Sequence, residues 1–191
     1  MKTQSMQDSY FTDRVFDKNS KLIKGEYENC TFNNCNLNGL DLSESSFYDC
    51  IFNGCDFSLA KLNKTTFNTI RFKDCKMLGL RFDTCNSFGL SFSFEGCLLN
   101  HASFFKTKIP KTIFKNSQLE GVDFSEAEMS SVIFDNCNLL HAVFSHSKID
   151  KADFRTAYNY TLNPEINFIK SAKFAMSGIH GLLSKYNIEI E

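Results

Sequence analysis

The chain has 191 residues, of which 21 are Phe, 8 are Cys, 2 are Pro and none is Trp, and its formal net charge is −1. That length suits one domain with a substantial core, and the near-zero charge excludes a global attraction to nucleic acid or to an anionic membrane. No run approaches the roughly 18 apolar residues that span a bilayer, and Met1 to Phe16 is too polar for a signal peptide, so a cytoplasmic protein is expected.

In chain order, residues 1–24 are polar with a few apolar anchors, Tyr10, Phe11, Val15 and Phe16, and read as an N-terminal cap. From Leu22 a large apolar residue recurs every fifth position: Tyr27, Phe32, Leu37, Leu42, Phe47, Phe52, Phe57, Leu62, Phe67, Phe72, Met77, Phe82 and Phe92, with Ser87 as the one break. Between Phe92 and Leu99 the step is seven, which predicts a two-residue insertion near 93–96. The register then runs without a miss from Leu99 through Phe104, Phe114, Phe124, Phe134 and Phe144 to Phe154. A small or aliphatic residue usually stands two places before the large one, and all eight cysteines occupy that slot.

A period of five fits neither a helix nor a plain strand. Residues two apart on an extended segment share a side, so each unit can turn a small and a large side chain inward together. The other residues must then turn the chain, and Asn34, Gly39, Asp49, Gly54, Asp74, Gly79, Gly89, Asn116, Gly121 and Asn136 stand where that corner falls. Folding the sequence at twenty residues per coil stacks Cys35, Cys55, Cys75, Cys97 and Cys137 in one column and Phe32, Phe52, Phe72, Phe92, Phe114, Phe134 and Phe154 in another. The expected fold is therefore all-β: a four-sided parallel coil roughly 30 Å long at about 4.8 Å per turn.

The units Ala152-Asp153-Phe154 and Cys35-Asn36-Leu37, in so many in-register copies over 25–158, resemble the pentapeptide repeat family. The resemblance implies a right-handed quadrilateral parallel β-helix without enzymatic activity. The tail, 159–191, reads as a C-terminal cap, with a short helix from Ser177 and a final strand holding Ile188 and Ile190. Asn163-Pro164-Glu165-Ile166-Asn167 and this tail resemble the microcin-immunity and quinolone-resistance branch. That resemblance implies a homodimer joined through the tail, for which Ile179, Leu182 and Leu183 are the candidate contacts. It also implies binding to DNA gyrase or topoisomerase IV by imitation of duplex DNA.

No residue set announces chemistry. The cysteines share their slot with Ala, Ser, Thr and Val and read as core. The histidines have no ligand or triad partners at a recognisable spacing, and the glycines read as corners, so no cofactor or metal is expected. Charge is banded: Asp41, Glu44, Asp49 and Asp56 precede a basic stretch from Lys61 to Lys115, and Glu120, Asp123, Glu126, Glu128 and Asp135 follow it. Asp41, Glu44, Asp56, Glu120, Asp123 and Glu126 are thus the candidate partner contacts of a DNA-mimicking rod, with no direct nucleic-acid or membrane binding. The other reading is a non-enzymatic interaction scaffold.

Overall fold

A corner every five residues needs a backbone that reverses direction at a fixed point, and a left-handed residue supplies it. In the computed structural model, which describes residues 9–189, the position two after each large residue has φ between +50° and +70° almost throughout, including all ten corners expected from the sequence. Asn, Asp and Gly tolerate this conformation. Leu59 and Thr69 adopt it too, each at φ 58°, against their own preference.

Between corners, the chain presents one short extended side to the coils before and after it. Leu99 N–H donates to the Gln118 carbonyl at 2.8 Å, Gln118 N–H donates back to the Cys97 carbonyl at 2.9 Å, and Ala102 N–H closes the corner on the Leu99 carbonyl at 2.9 Å. The same pattern recurs from unit to unit and pairs the inward backbone groups that water cannot reach. The result is a parallel solenoid of about six turns with four faces.

On the first face, β1 (Ser9–Thr12), β3 (Gly25–Glu28), β5 (Ser46–Tyr48) and β7 (Thr66–Asn68) form a four-stranded sheet. The second face is a sheet of β2 (Val15–Phe16), β4 (Thr31–Asn33), β6 (Ile51–Asn53), β8 (Ile70–Lys73), β9 (Phe92–Glu95), β10 (Ile113–Lys115) and β11 (Ile133–Asp135), in that spatial order. The third and fourth faces are ladders of single bridges, such as Asn36–Asp56–Lys76–Leu98–Gln118–Asn138–Tyr158 and Arg81–Ser103–Asp123–Val143.

The interior is a set of aromatic piles. Phe94, Phe114 and Phe134 stack at 4.9 and 5.2 Å on the second face, and Phe82, Phe104, Phe124 and Phe144 at 4.5, 5.3 and 5.2 Å on the fourth. All eight cysteines are free thiols, seven buried and Cys85 half-buried. Cys75 Sγ donates to the Phe52 carbonyl at 3.3 Å, and Thr65 and Ser147 hydroxyls each meet the equivalent carbonyl of the preceding coil at 2.9 Å. Cys, Ser and Thr are thus interchangeable in this slot for a second reason besides size.

Three expectations need correction. The residues of the N-terminal cap, where described, form a shortened coil: β1 and β2 pair in parallel with β3 and β4, and Phe11 and Phe16 stack on Tyr27 and Phe32 at 4.8 Å. The insertion lies earlier than 93–96. Asn86 N–H still bonds the Thr65 carbonyl, whereas Ile70 already pairs with Phe92 and Phe72 with Phe94, so the added residues enter between Asn86 and Phe92. Phe94 holds the aromatic column, stacked 5.3 Å from Phe72, and Phe92 takes the inward slot before it. Finally, the ladder continues past 158 to the Lys148–Phe168 and Asp153–Lys173 bridges.

Beyond it, Met176–Gly178 and Ser184–Tyr186 are 3-10 turns flanking α1 (His180–Leu183). Ile188 lies outside any strand, and Ile190 falls outside the described residues.

Candidate interaction surface

The core is filled, so chemistry must be sought on the outward residues of each side. Among the described residues, no group of three or more His, Cys, Asp or Glu side chains could hold a metal. Seven of the eight thiols are enclosed in the core. Burial pushes Cys50 and Cys137 up to about 12, and the thiols of Cys55 and Cys97 on either side raise Cys75 further. A depression of about 700 Å³ opens on the third face, lined by Leu59, Leu78, Gly79 and Leu98 among others. It brings no catalytic acid–base set together.

The coil geometry does assemble the acidic candidates. Backbone bonds from Leu42 to Lys61, Lys64 to Thr84, Phe82 to Ser103 and Lys106 to Ser125 stack successive coils on the fourth face, so Asp41, Glu44, Asp123 and Glu126 share one surface. Asp56 lies in the third-face ladder, and Glu120 is beside it on the same face, where Asn100 Nδ2 donates to its carboxylate at 3.4 Å. Two acidic bands thus occupy two adjacent faces, with the basic coils between them.

The bands are partly neutralised by residues one coil away. Lys24 pairs with Glu44, Lys106 with Glu126 at 3.3 Å, and Lys76 with Asp56 at 3.8 Å. The Lys24 hydrogen bond holds the Glu44 carboxyl below its usual value. Asp41 is held low by the Ser43 hydroxyl and backbone N–H. Burial would raise Asp56, but the Ser58 N–H, which donates to its carboxylate at 2.9 Å, and the nearby Lys76 help to lower it. Exposed pairs of this kind contribute little to stability, yet they shrink the field each band projects. A linear reading of the charges missed them, although partners twenty residues apart carry the period of the coil.

The basic middle has its own carboxylate that sequence reasoning passed over. Arg81 embraces Asp83 through Nε and a terminal nitrogen at 2.8 and 2.5 Å. Burial works against ionisation of Asp83, and the Arg81 and Ser103 hydrogen bonds overcome it.

Of the tail's expected apolar contacts, Ile179 and Leu182 are spent on its own coil, and Leu183 is half-buried. Leu182 is 9% exposed and joins the core, Ile179 packs against that core, and the Leu162 N–H bonds the Gly181 carbonyl at 2.9 Å. Gly178 and Gly181 lie so close to Tyr160 that a Cβ would fall 2.2 Å from its hydroxyl oxygen at the first and from its carbonyl oxygen at the second. The apolar face of the tail therefore plugs its own coil, as an amphipathic segment will when an open end is nearest. Met176, Phe168 and Ile188 are the most exposed apolar residues there, with Tyr186 and Ile166 also exposed.

The description "pentapeptide repeat region" fits residues 25–104 and 90–158. No curated protein matches the chain. Its fold is similar to two trypsin-treated variants of QnrB1, a plasmid-mediated fluoroquinolone resistance protein. The TM-scores are 0.66 and 0.64, each at 18% identity, covering 96% and 97% of this chain and 100% of those chains. HetL, a pentapeptide repeat protein involved in heterocyst differentiation regulation from the cyanobacterium Nostoc, aligns at a TM-score of 0.41 and 14% identity over 88% of this chain and 86% of that one.

Proposed function

Because this chain belongs to the pentapeptide repeat family, we propose that it is a non-catalytic rod that binds a type II topoisomerase at the surface where that enzyme holds DNA. The observation that carries the reading is the placement of Asp41, Glu44, Asp123 and Glu126 on one face, as two negative bands four coils apart. Duplex DNA offers negative charge at regular intervals along its axis, and a cleft that accepts it is basic. The likeness to QnrB1, a fluoroquinolone resistance protein, runs along nearly the whole chain and is one of fold. Such a role places the protein in the cytoplasm, and a second copy would meet it through Phe168, Met176 and Ile188.

The ion pairs to Lys24, Lys76 and Lys106 favour a second reading, an interaction scaffold for a different protein, since they blunt the bands. Gyrase binding and supercoiling assays, with and without a gyrase poison, separate the two. Under the first reading binding weakens steeply with salt, and Glu120→Gln, Asp123→Asn and Glu126→Gln together reduce it with little change in stability. Absence of both binding and any effect on supercoiling leaves the scaffold. A monomeric mass by light scattering at micromolar concentration removes the dimer.

A further inference from the structure

The solenoid is interrupted at one place on the first face. Elsewhere on that face successive coils are tied by bonds such as Glu128 N–H to the Thr107 carbonyl at 2.8 Å, Ile109 N–H to the Glu128 carbonyl at 2.9 Å and Lys111 N–H to the Ser130 carbonyl at 3.0 Å. One coil earlier their counterparts are missing: among the described residues no backbone hydrogen bond joins 85–91 to 107–111. Among the described residues, Lys108, an exposed residue, makes no backbone hydrogen bond through its N–H or its carbonyl.

The inserted loop is nevertheless held in place from the other side. Asn86 N–H bonds the Thr65 carbonyl at 2.9 Å, Ser91 N–H bonds the Phe67 carbonyl at 3.1 Å, Asn68 Nδ2 donates to the Gly89 carbonyl at 3.1 Å, and Phe88 N–H donates to Asn86 Oδ1 at 3.1 Å. Moored this way, it presents Phe88 at 86% exposure, while Lys108 and Lys111 on the next coil have no carboxylate within ion-pair distance among the described residues. A fixed, solvated aromatic ring is costly to keep in water and well suited to anchor a partner.

We propose that the Phe88 loop and the Lys108 strand edge form a docking site for an extended acidic segment of a protein partner. The unpaired N–H and carbonyl of Lys108 call for a ligand that both accepts and donates in register, which a peptide backbone does and a phosphodiester backbone does not. Alternate side chains of an extended segment face the same way, so carboxylates two apart reach Lys108 and Lys111 while an apolar neighbour covers Phe88. This surface is separate from the acidic bands of the fourth face and selects a partner of opposite charge.

The test uses the full chain and a fluorescent decapeptide of alternating Glu and Val with one Phe, beside its Lys-for-Glu counterpart and an oligothymidylate. The acidic peptide should bind saturably, with amide NMR shifts confined to 85–91 and 106–111. Phe88→Ala, and Lys108→Glu with Lys111→Glu, should each weaken binding at least about tenfold, and Lys151→Glu should leave it unchanged. Phe88 is exposed, so the folded state should survive its loss, as circular dichroism would verify. Shifts spread equally over Lys148 and Lys151, insensitivity to Phe88→Ala, tighter binding of the oligonucleotide, or no saturation would each overturn the proposal.

Discussion

Phe124→Ala tests the packing most directly. The ring is fully buried and lies 5.3 Å from Phe104 and 5.2 Å from Phe144 in near-parallel stacks, with Phe114 and Phe134 edge-on at 5.9 and 5.7 Å. Truncation removes the transfer energy of the ring and leaves a cavity. The coils above and below cannot close it, because their spacing is fixed by backbone bonds such as Phe124 N–H to the Val143 carbonyl at 2.9 Å. A loss of about 3–5 kcal/mol follows, at the upper part of that range because four aromatic contacts vanish together. For a chain of this length each kcal/mol moves the melting midpoint by about 2–4 °C, so a drop on the order of 10 °C is expected. Urea unfolding followed by far-UV circular dichroism reads it, with Phe88→Ala as the exposed control, expected within about 0.5 kcal/mol of the parent. A change below about 1 kcal/mol for Phe124→Ala, with unchanged m-value, would refute the argument that the aromatic pile is a rigid core.

A native-state thiol reagent should label Cys85 first and the seven buried cysteines only on unfolding; fast reaction of Cys55 or Cys75 in the folded protein contradicts their placement. Leu59→Asn should raise stability by about 0.5–1 kcal/mol, because a left-handed Leu carries a penalty of about 1–2 kcal/mol that Asn largely avoids. A lower urea midpoint rules the strain out. Asp83 has a folded pKa below its ordinary 3.8, so its contribution is complete above that value and is lost as pH falls through the folded one. Asp83→Asn should therefore lower the urea midpoint at pH 7 and flatten its dependence as pH falls through the acid range; an unchanged profile would show that the Arg81 pair does not stabilise the fold.

The four-sided coil was legible because a five-residue spacing repeated through Phe104, Phe114, Phe124, Phe134 and Phe144 admits little else. Phe92 and Phe94 show where legibility ends: with Phe at both positions, either can continue the column, and only the pairing of Phe72 identifies the one that does. Phe11 and Phe16 are also five apart, but the six-residue step to Leu22 hides their place in a shortened coil. Ile179 and Leu182 declare an apolar face without saying what covers it, and the open end of the same chain reaches it first. The acidic bands are visible along the sequence, whereas the lysines that blunt them sit a full coil away in sequence and next door in space.

The corner at every fifth residue separates two things that are usually entangled in a protein, distance and bearing. Each whole coil advances a side chain about 4.8 Å and returns it to the same compass direction, so the acidic pairs at Asp41/Glu44 and Asp123/Glu126 stand roughly 19 Å apart in four fixed steps. Excising one full coil between them would shorten that interval by a single step and leave both pairs pointing the same way. Excising one unit of five would instead turn everything downstream by a quarter revolution, carrying Asp123 and Glu126 from the fourth face to the third. The molecule can thus be read as a graduated ruler, on which the length of a deletion selects between moving a mark and rotating it out of view.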